Sequence, residues 1–345
     1  MDTLTGLLEG PQARGAFLLR LLLRTPWSLR IEDRSPLALL TVVRGEAWVR
    51  PDGRAPVRLL PGDIAVMRGP EPYTVADSPD QPVRVVVGPD QRCSTAGGDD
   101  ITESSALGVR TWGDGTAGAP GDTLMISGAY QAHREIGRGL LHSLPALLVQ
   151  SVGTGDHPLV RLLAEETCRN EPGQELVLDR LLDLLLVSVL RSWLADPGSG
   201  APARYRAHSD PVVGGALRLL HEDPAHGWTV AGLAAAVGVS RAGLARAFTE
   251  LVGEPPMAYL TGRRLALAAD LLREPDLTIA AVARQVGYGS AFALSAAFKR
   301  VRGVSPREYR ENPGGAPLLP GAPPHTVVLP AARHPLGGAA PAAGC

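Results

Sequence analysis

The stretch TIAAVARQVGYGSAFALSAAFKRVRGVSPREYR at residues 278–310 repeats an earlier stretch, TVAGLAAAVGVSRAGLARAFTELVGEPPMAYL at residues 229–260. Equivalent residues lie 49 positions apart as far as a shared glycine and 50 positions apart beyond it. Beyond that glycine every spacing agrees: Ser240, Leu244, Phe248, Leu251, Gly253, Pro256 and Tyr259 match Ser290, Leu294, Phe298, Val301, Gly303, Pro306 and Tyr309. Such a match indicates a structural unit that occurs twice.

The pattern within each copy predicts two short helices. Apolar residues recur at i, i+4 and i+7, which places them on one face of a helix. Thr229 and Thr278 stand where a helix needs an N-cap, and Gly253 and Gly303 follow the end of the second helix, where a left-handed residue is favoured. Residues 305–308, Ser-Pro-Arg-Glu, have the composition of a capped helix start. Each copy therefore predicts a helix-turn-helix.

A helix-turn-helix places its second helix in the major groove of DNA. Side chains of the first turn then face base edges, and backbone N–H groups at the helix start can bind phosphate. Residues 256–273 form a long helical pattern between the copies. This helix would be the spacer that lets the two copies enter successive major grooves, about 34 Å apart. The alternative is a helical bundle whose periodicity only packs a core.

Residues 210–312 resemble the DNA-binding domain of AraC/XylS-type bacterial transcription regulators. The residues that carry the resemblance include Leu233-Ala234, Ser240-Arg241, Leu244, Arg246, Phe248, Gly253, Pro256, Arg264-Leu265, Ile279, Val286-Gly287-Tyr288, Phe298-Lys299-Arg300, Pro306 and Tyr309-Arg310. The resemblance implies base-facing side chains six, three and two residues before the shared phenylalanine. These are Ala242, Ala245 and Arg246 in the first copy and Phe292, Ser295 and Ala296 in the second.

The side chains at these positions predict unequal reading by the two copies. Arg246 can form a bidentate contact with guanine, worth about 1–3 kcal/mol of discrimination; the alternative is a phosphate contact or a solvated charge. Alanine can only contact thymine methyl groups, and Phe292 offers apolar contact alone, so we expect weak base reading by the second copy. Candidates for phosphate contacts are Ser240, Arg241, Ser290, Lys299 and Arg300.

The N-terminal part predicts a small antiparallel β-barrel or sandwich followed by two helices. Short runs rich in Val, Ile, Leu and Trp between residues 37 and 87 alternate with turns such as Pro-Asp-Gly, which is typical of closely spaced strands. Helical patterns cover residues 157–170 and 176–194. The second is so rich in leucine that we expect it to pack against the barrel, form a dimer interface, or both. The fold class is thus α+β in two domains: a small β-barrel with trailing helices, then an all-α double helix-turn-helix.

Residues 27–79 are similar to the cupin-type effector domain of some regulators of that family, through Trp27-Ser28-Leu29-Arg30, Gly45-Glu46-Ala47-Trp48, Leu60-Pro61-Gly62-Asp63 and Gly69-Pro70-Glu71-Pro72-Tyr73. The resemblance implies a barrel interior that can hold a small-molecule effector, with Trp48 and Tyr73 as candidates to line it. For Trp48, packing in the core is the alternative. Metal-dependent cupins carry two histidines separated by one residue, and the eight histidines here include no such pair. We therefore expect neither a metal nor a cofactor.

Cys93 lies in a polar, turn-rich segment and is a candidate redox sensor if it is exposed. A structural cysteine is the alternative. The chain has three cysteines, Cys93, Cys168 and Cys345, which indicates no disulfide framework. No signal peptide or long apolar run is evident, so the sequence predicts a cytoplasmic protein that does not associate with membranes.

Composition divides the chain into four segments. We expect a cupin-like sensing and dimerisation domain at residues 1–195, a linker at 196–209, the DNA-binding domain at 210–312 and a disordered, proline-rich tail at 313–345. The formal net charge of the 345 residues is −1, so any nucleic-acid surface has to be local. Residues 226–310 hold 11 basic against 6 acidic side chains.

These features predict a sequence-specific DNA-binding transcription regulator that is not an enzyme and acts as a homodimer on double-stranded promoter DNA. We expect a small-molecule or stress signal of unknown identity at the N-terminal domain, with RNA polymerase as a candidate further partner. No nucleotide-binding, hydrolase or metalloprotease motif occurs. The alternatives are a cupin-type enzyme fused to a DNA-binding domain and a module whose helical repeat binds protein. The sequence leaves activation and repression both open.

Overall fold

The computed structural model describes residues 17–108, 110–116, 119–130, 141, 143–152, 157–169, 171–196, 198–201, 207–311 and 326–329. Contacts within this part of the chain divide it into two compact units. The N-terminal unit holds the described residues of 17–130, 144–199 and 326–329, and the C-terminal unit holds those of 141–143 and 200–311. The division at residues 199 and 200 falls inside the stretch predicted as a linker.

Two mixed β-sheets form the frame of the N-terminal unit. The larger sheet contains, in order across it, β10 (Ala106–Gly108), β11 (Thr111–Gly113), β1 (Phe17–Leu23), β12 (Thr123–Tyr130), β3 (Leu37–Arg44), β6 (Ile64–Arg68), β13 (Leu147–Gln150) and β14 (Thr326–Leu329). The smaller sheet contains β5 (Val57–Leu59), β4 (Ala47–Pro51), β7 (Tyr73–Ala76), β2 (Ser28–Ile31), β8 (Val85–Val87) and β9 (Cys93–Thr95). Within the described residues neither sheet closes on itself, so the predicted small barrel is an open, two-sheet version of that architecture.

The two sheets share one core. Leu40 of β3 and Met125 of β12 point into it from the larger sheet, and Val49 of β4 and Val75 of β7 enter from the smaller sheet. Alternate residues of each strand supply these side chains because successive side chains of a strand face opposite sides. Removal of this apolar surface from water holds the sheets together.

Two helices pack against the larger sheet. α1 (Pro158–Thr167) contacts β3, and α2 (Gln174–Ala195) contacts β13. A Cβ atom on Gly128 of β12 would come within 2.9 Å of the Leu182 side chain, so the glycine lets α2 lie close to the sheet. The buried side of α2 consists of Leu178, Leu181, Leu182, Leu185, Leu186, Val189, Leu190 and Trp193. Both predicted helices are confirmed. Of the two roles expected for α2, packing against the barrel and forming a dimer interface, the structure shows the packing.

The C-terminal tail differs from its prediction at one place. Residues 326–329, expected to be disordered, form β14, which pairs in parallel with β13 from Leu147 opposite Thr326 to Gln150 opposite Leu329. The sequence Thr-Val-Val-Leu has a strong preference for strands, and the pairing covers the hydrogen-bonding edge that β13 would otherwise expose. The rest of the predicted tail lies outside the described residues.

The C-terminal unit is all-helical and contains the predicted repeat. Its helices are α3 (Val213–Glu222), α4 (Val230–Ala236), α5 (Arg241–Val252), α6 (Pro256–Leu271), α7 (Ile279–Gln285), α8 (Ala291–Arg302) and α9 (Pro306–Glu311). Helices α4 and α5 form the first helix-turn-helix, α7 and α8 form the second, and α6 is the spacer.

Equivalent hydrogen bonds cap the helices of the two motifs. The Thr229 and Thr278 hydroxyls accept from the backbone N–H three residues on, at 3.0 and 3.1 Å. Ser240 and Ser290 do the same at the starts of α5 and α8, at 3.0 and 3.1 Å. Each such cap is worth about 1 kcal/mol. The predicted caps are confirmed.

Each motif packs a core of its own, with an aromatic pair at its centre. Phe248 meets Tyr259 edge-on with ring centroids 5.7 Å apart, and Phe298 meets Tyr309 edge-on at 5.4 Å. Edge-on pairs add about 0.5–1.5 kcal/mol to the burial of the rings. The repeated spacing in the sequence therefore reflects two copies of the same packing.

The glycine in each turn is left-handed, with φ of +74° at Gly238 and +83° at Gly287. The surroundings of the two glycines differ. A Cβ atom on Gly238 would meet nothing within 4 Å, whereas one on Gly287 would lie 2.7 Å from the Cα and carbonyl oxygen of Ala225. The backbone beside Gly287 is held by Arg264, whose Nε donates to the Pro224 carbonyl at 2.7 Å and whose Nη2 donates to the His226 carbonyl at 2.8 Å.

We predict that Gly287→Ala destabilises its motif more than Gly238→Ala does. Both variants incur about 1–2 kcal/mol for a left-handed alanine. Only Gly287→Ala adds a clash with backbone atoms, which costs a further 1–3 kcal/mol or so. In the full-length protein, amide hydrogen exchange of α7 and α8 measures the loss of stability caused by Gly287→Ala. Exchange of α4 and α5 measures the loss caused by Gly238→Ala. Equal losses would mean that the backbone around Ala225 moves away freely.

Candidate nucleic-acid interface

Helix α5 presents the base-facing candidates of the first motif. Its core side is fixed by the burial of Leu244, Phe248 and Val252. On the opposite side Ala242 and Arg246 are exposed, and Ala245 is half-buried. The Arg246 side chain forms no hydrogen bond or ion pair with any residue that the structure describes, so it is available to a ligand.

Helix α8 presents the equivalent face of the second motif. Its core side consists of Leu294, Ala297 and Phe298. Ala296 is exposed and Ser295 is half-buried, while Phe292 is 84% exposed. The ring lies in the first turn of α8, at one of the positions predicted to face base edges.

The phosphate candidates lie around the starts of the two helices and the end of α8. The Ser240 and Ser290 hydroxyls use their oxygens to cap the helices and retain a proton that can be donated outward. Arg241 is exposed at the start of α5, and Lys299 and Arg300 are exposed in the last turn of α8. The structure thus leaves each of these polar groups open to solvent.

Two arginines that carry the family resemblance hold the fold instead. Arg264 binds the carbonyls of Pro224 and His226, and burial lowers the pKa of Arg264 from its usual value. Arg310 donates from Nε to the Leu272 carbonyl at 3.2 Å and from Nη2 to the Leu277 carbonyl at 2.5 Å. Both guanidinium groups fasten loops between helices.

Neither of the two effector-pocket candidates lines the open cavity of the N-terminal unit. Tyr73 is buried in the core between the sheets, and burial raises the pKa of its phenol far above the usual value, with a smaller contribution from the charge of Asp33. Trp48 is half-buried on β4, opposite Ala76 of β7. A cavity of about 610 Å³ instead opens among four turns of the N-terminal unit and includes neither residue in its wall. Sequence reasoning missed this cavity because its wall comes from four separate stretches.

Cys93 is a candidate redox sensor only if it is exposed, and the structure shows that it is buried. Its residue exposure is 5%, and its backbone N–H donates to the Thr102 hydroxyl at 2.8 Å. Burial, with a smaller contribution from the charge of Asp100, raises the pKa of the thiol to about 11. Reactive cysteines have a lowered pKa and access to solvent. Both properties argue against a redox role for Cys93.

Among the described residues, no three His, Cys, Asp or Glu side chains are grouped so that they could hold a metal ion. No single helix in this part of the chain is long and apolar enough to cross a bilayer, and the bent pair α4 and α5 reaches the required length and apolarity only when both are counted together. That pair is the first helix-turn-helix.

Comparison with known proteins agrees with both units. A cupin family model matches residues 2–195, and a helix-turn-helix domain model matches residues 233–312. An AraC-like transcription regulator of Streptomyces antibioticus is 32% identical over 318 residues, which cover 91% of this chain and 99% of the relative. The chain belongs to the AraC-like transcription regulators.

Other matches cover parts of this AraC-like regulator. The regulator AlkR of Acinetobacter baylyi is 36% identical over 186 residues, 51% of this chain and 60% of the relative. The DNA-binding domain of AdpA, solved in complex with a target DNA, is 32% identical, covers 31% of this chain and 99% of that chain, and has a TM-score of 0.29. The predicted combination of a cupin-type domain and an AraC-type DNA-binding domain is confirmed.

We predict that Cys93 reacts slowly with iodoacetamide in the folded protein. In a Cys168→Ser, Cys345→Ser variant, alkylation between pH 7 and 9 should accelerate about tenfold per pH unit, because the thiolate is the nucleophile and the pKa is about 11. Mass spectrometry measures the rate, and the chain unfolded in guanidinium chloride is the reference. Alkylation of the folded protein at the unfolded rate would restore the redox hypothesis.

Proposed function

We propose that this AraC-like regulator binds a specific promoter sequence as a homodimer, has no enzymatic activity and responds to a small molecule at its cupin domain. It would act on double-stranded DNA in the cytoplasm, with RNA polymerase as a further partner. The observation that carries the proposal is the pair of recognition helices, α5 and α8. Each is capped by a serine at its start, buries one face in the core and leaves the opposite face of its first two turns exposed or half-buried.

Arg246 is the residue on which sequence specificity depends in this proposal. It is exposed, unpaired among the described residues and two positions before the buried Phe248 that anchors α5. The guanidinium group can donate two parallel hydrogen bonds to O6 and N7 of guanine. The alanines at positions 242 and 245 keep the helix surface flat, which lets α5 approach the base edges and contact thymine methyl groups.

The second motif would contribute differently. Phe292 offers a large apolar surface to the groove, and Ser295 and Ala296 add little hydrogen-bonding capacity. Apolar contact selects thymine through its methyl group but leaves the other bases poorly distinguished. We therefore propose that α8 adds affinity and one thymine preference, while α5 reads guanine.

Phosphate contacts would supply much of the remaining affinity. Arg241, Lys299 and Arg300 are exposed close to the recognition helices, and the two N-terminal serines can donate their hydroxyl protons. Each phosphate neutralised lowers the slope of log affinity against log salt concentration by about 0.9. Steep salt dependence is thus expected, and its absence would favour a helical repeat that binds protein.

The dimer would form through the exposed side of α2. Leu176, Val177 and Leu184 are 60%, 43% and 51% exposed on this helix, although its other side is buried against the sheet. Val177 and Leu184 are seven residues apart and therefore lie on one face of the helix, and neighbouring exposed apolar side chains mark interaction surfaces more often than scattered ones do. A two-fold dimer would also place two copies of α5 on the DNA, so the operator would contain two half-sites.

We predict that Arg246→Ala removes sequence specificity. The operator is a duplex selected from a random library by the full-length protein, and the reference is a scrambled duplex of equal length. Affinity for the operator should fall by about 1–3 kcal/mol, or about 5- to 150-fold. Affinity for the scrambled duplex should change much less, because nonspecific binding depends on phosphate contacts.

Arg218→Ala is the matched control for Arg246→Ala, since it removes the same charge from an exposed position on α3, outside both recognition helices. Titrations by fluorescence anisotropy at two salt concentrations measure all three proteins. Equal losses on operator and scrambled duplex would place Arg246 on phosphate rather than on a base. Failure of the wild-type protein to select any sequence would contradict the regulator function itself.

We predict that Leu184→Glu weakens the dimer without disturbing the fold. A charge at the centre of an apolar interface should cost about 2 kcal/mol or more of association energy. Leu107→Glu is the control, because Leu107 is equally open at 48% exposure but lies on β10. Sedimentation velocity of the full-length proteins measures the dissociation constant. An unchanged constant for Leu184→Glu would locate the dimer interface elsewhere.

A further inference from the structure

The cavity of the N-terminal unit is the part of the structure that the DNA-binding function leaves unused. It measures about 610 Å³, within the range of about 300–1,000 Å³ that holds small-molecule ligands. Its wall comes from four turns: residues 25–26, residues 44–46, residues 77–81 and residues 119–123. Eight of the thirteen wall residues are polar or charged, among them Arg44 and three acidic residues, and the apolar part of the wall comes from two prolines, one alanine and two glycines.

The acidic side chains in this wall already have partners. An Asp77 carboxylate oxygen accepts from the backbone N–H of Trp27 at 3.0 Å, and one of Asp122 accepts from the backbone N–H of Thr116 at 2.6 Å. Glu46 accepts from Nε of Arg58 at 2.9 Å. Of these three, Glu46 is paired with a cationic side chain, and Asp77 and Asp122 are held by backbone N–H groups, so an anion in this cavity depends on Arg44 to offset their charge.

Arg44 is the exception in the wall. Its Nε and Nη2 atoms are buried and have no acceptor among the described residues. Buried polar groups are nearly always hydrogen-bonded in folded proteins, and leaving a charged donor unpaired is costly. These two donors mark Arg44, which is half-buried as a whole, as a group whose acceptor the described part of the chain does not provide.

The turn that carries Arg44 is held rigidly against the start of β12. Gly45 lies so close that a Cβ atom there would be 2.9 Å from the Thr123 hydroxyl oxygen. That hydroxyl accepts from the indole N–H of Trp27 at 3.3 Å and donates to the Glu46 carbonyl at 3.4 Å. A ligand bound by Arg44 would therefore contact a rigid turn, which continues directly from strand β3 and contacts the start of β12.

We propose that this cavity binds a small organic anion, with a carboxylate or phosphate group on Arg44 and an apolar body against the proline and alanine wall. The guanidinium fork matches the geometry of both anionic groups. The amide of Gln81 and the hydroxyl of Ser78, in the same wall, supply further hydrogen bonds. This assignment rests on the proposed function, because it gives the chemical class of the signal to which the cupin domain responds.

The test compares three probes of similar shape: benzoate, phenyl phosphate and the uncharged benzyl alcohol. Isothermal titration of the full-length protein should show saturable binding of at least one anion, tighter than that of the alcohol by about tenfold or more. Preference between the two anions separates a carboxylate ligand from a phosphate ligand. Arg44→Gln should weaken anion binding to the level of the alcohol, and Arg44→Lys should retain part of it because the charge remains.

Arg92→Gln is the matched control, since it removes one exposed arginine charge outside the cavity and should bind the anions like the wild type. A second readout does not depend on the choice of probe. Arg44→Met should make amide exchange in β3 and β12 slower in the ligand-free protein, because it removes two buried nitrogen donors that have no acceptor among the described residues. An arginine with a structural role would give the opposite result.

Faster exchange in Arg44→Met, or equal binding of the three probes, would overturn the proposal. So would anion binding that survives Arg44→Gln, or the absence of saturable anion binding up to about 10 mM. These outcomes are separable from failure of the regulator function. Operator binding by the same preparations, measured without any anion, reports on that function alone.

Discussion

The structure depends first on the turn between the two helices of each motif. A left-handed glycine ends the first helix, and a serine two or three residues later caps the second. Together they fix the direction of the recognition helix. The glycine allows the left-handed backbone of the turn, and the serine hydroxyl accepts a hydrogen bond from a free N–H group at the helix start. At Gly287 the backbone of residue 225 also lies too close for any side chain to fit at this position. The directions of α5 and α8, and hence any DNA contact, follow from these few atoms.

Within this shared frame the two recognition helices have diverged in chemistry. The first offers a cation on a flat surface of alanines, and the second offers an exposed aromatic ring. The duplicated cores, with their edge-on aromatic pairs, show that the frame is the same in both copies. The difference in chemistry lies in side chains that are outside these two cores. That separation allows the DNA sequence preference to change without a cost in stability.

Sequence alone predicted the C-terminal unit well because its signals are local. Cap, turn and core residues of α4 to α9 lie within a dozen positions of one another, so spacing reveals them. The N-terminal unit is different, since its cavity joins four turns that are distant along the chain. The sequence around Arg44 does not distinguish it from other arginines at the end of a strand. The polar sequence around Cys93 likewise gives no sign that this side chain is buried. The strand at residues 326–329 escaped prediction because the composition around it is that of a disordered tail.

That strand has a practical consequence for how the protein is divided. The last strand of the larger N-terminal sheet is encoded after the DNA-binding domain, so the cupin unit of this regulator is not contiguous in the gene. A fragment that ends at residue 195 or at residue 312 leaves β13 with a bare edge, ready to pair with a neighbouring molecule. Deletions of the proline-rich end, which look harmless in the sequence, therefore remove a piece of the cupin fold.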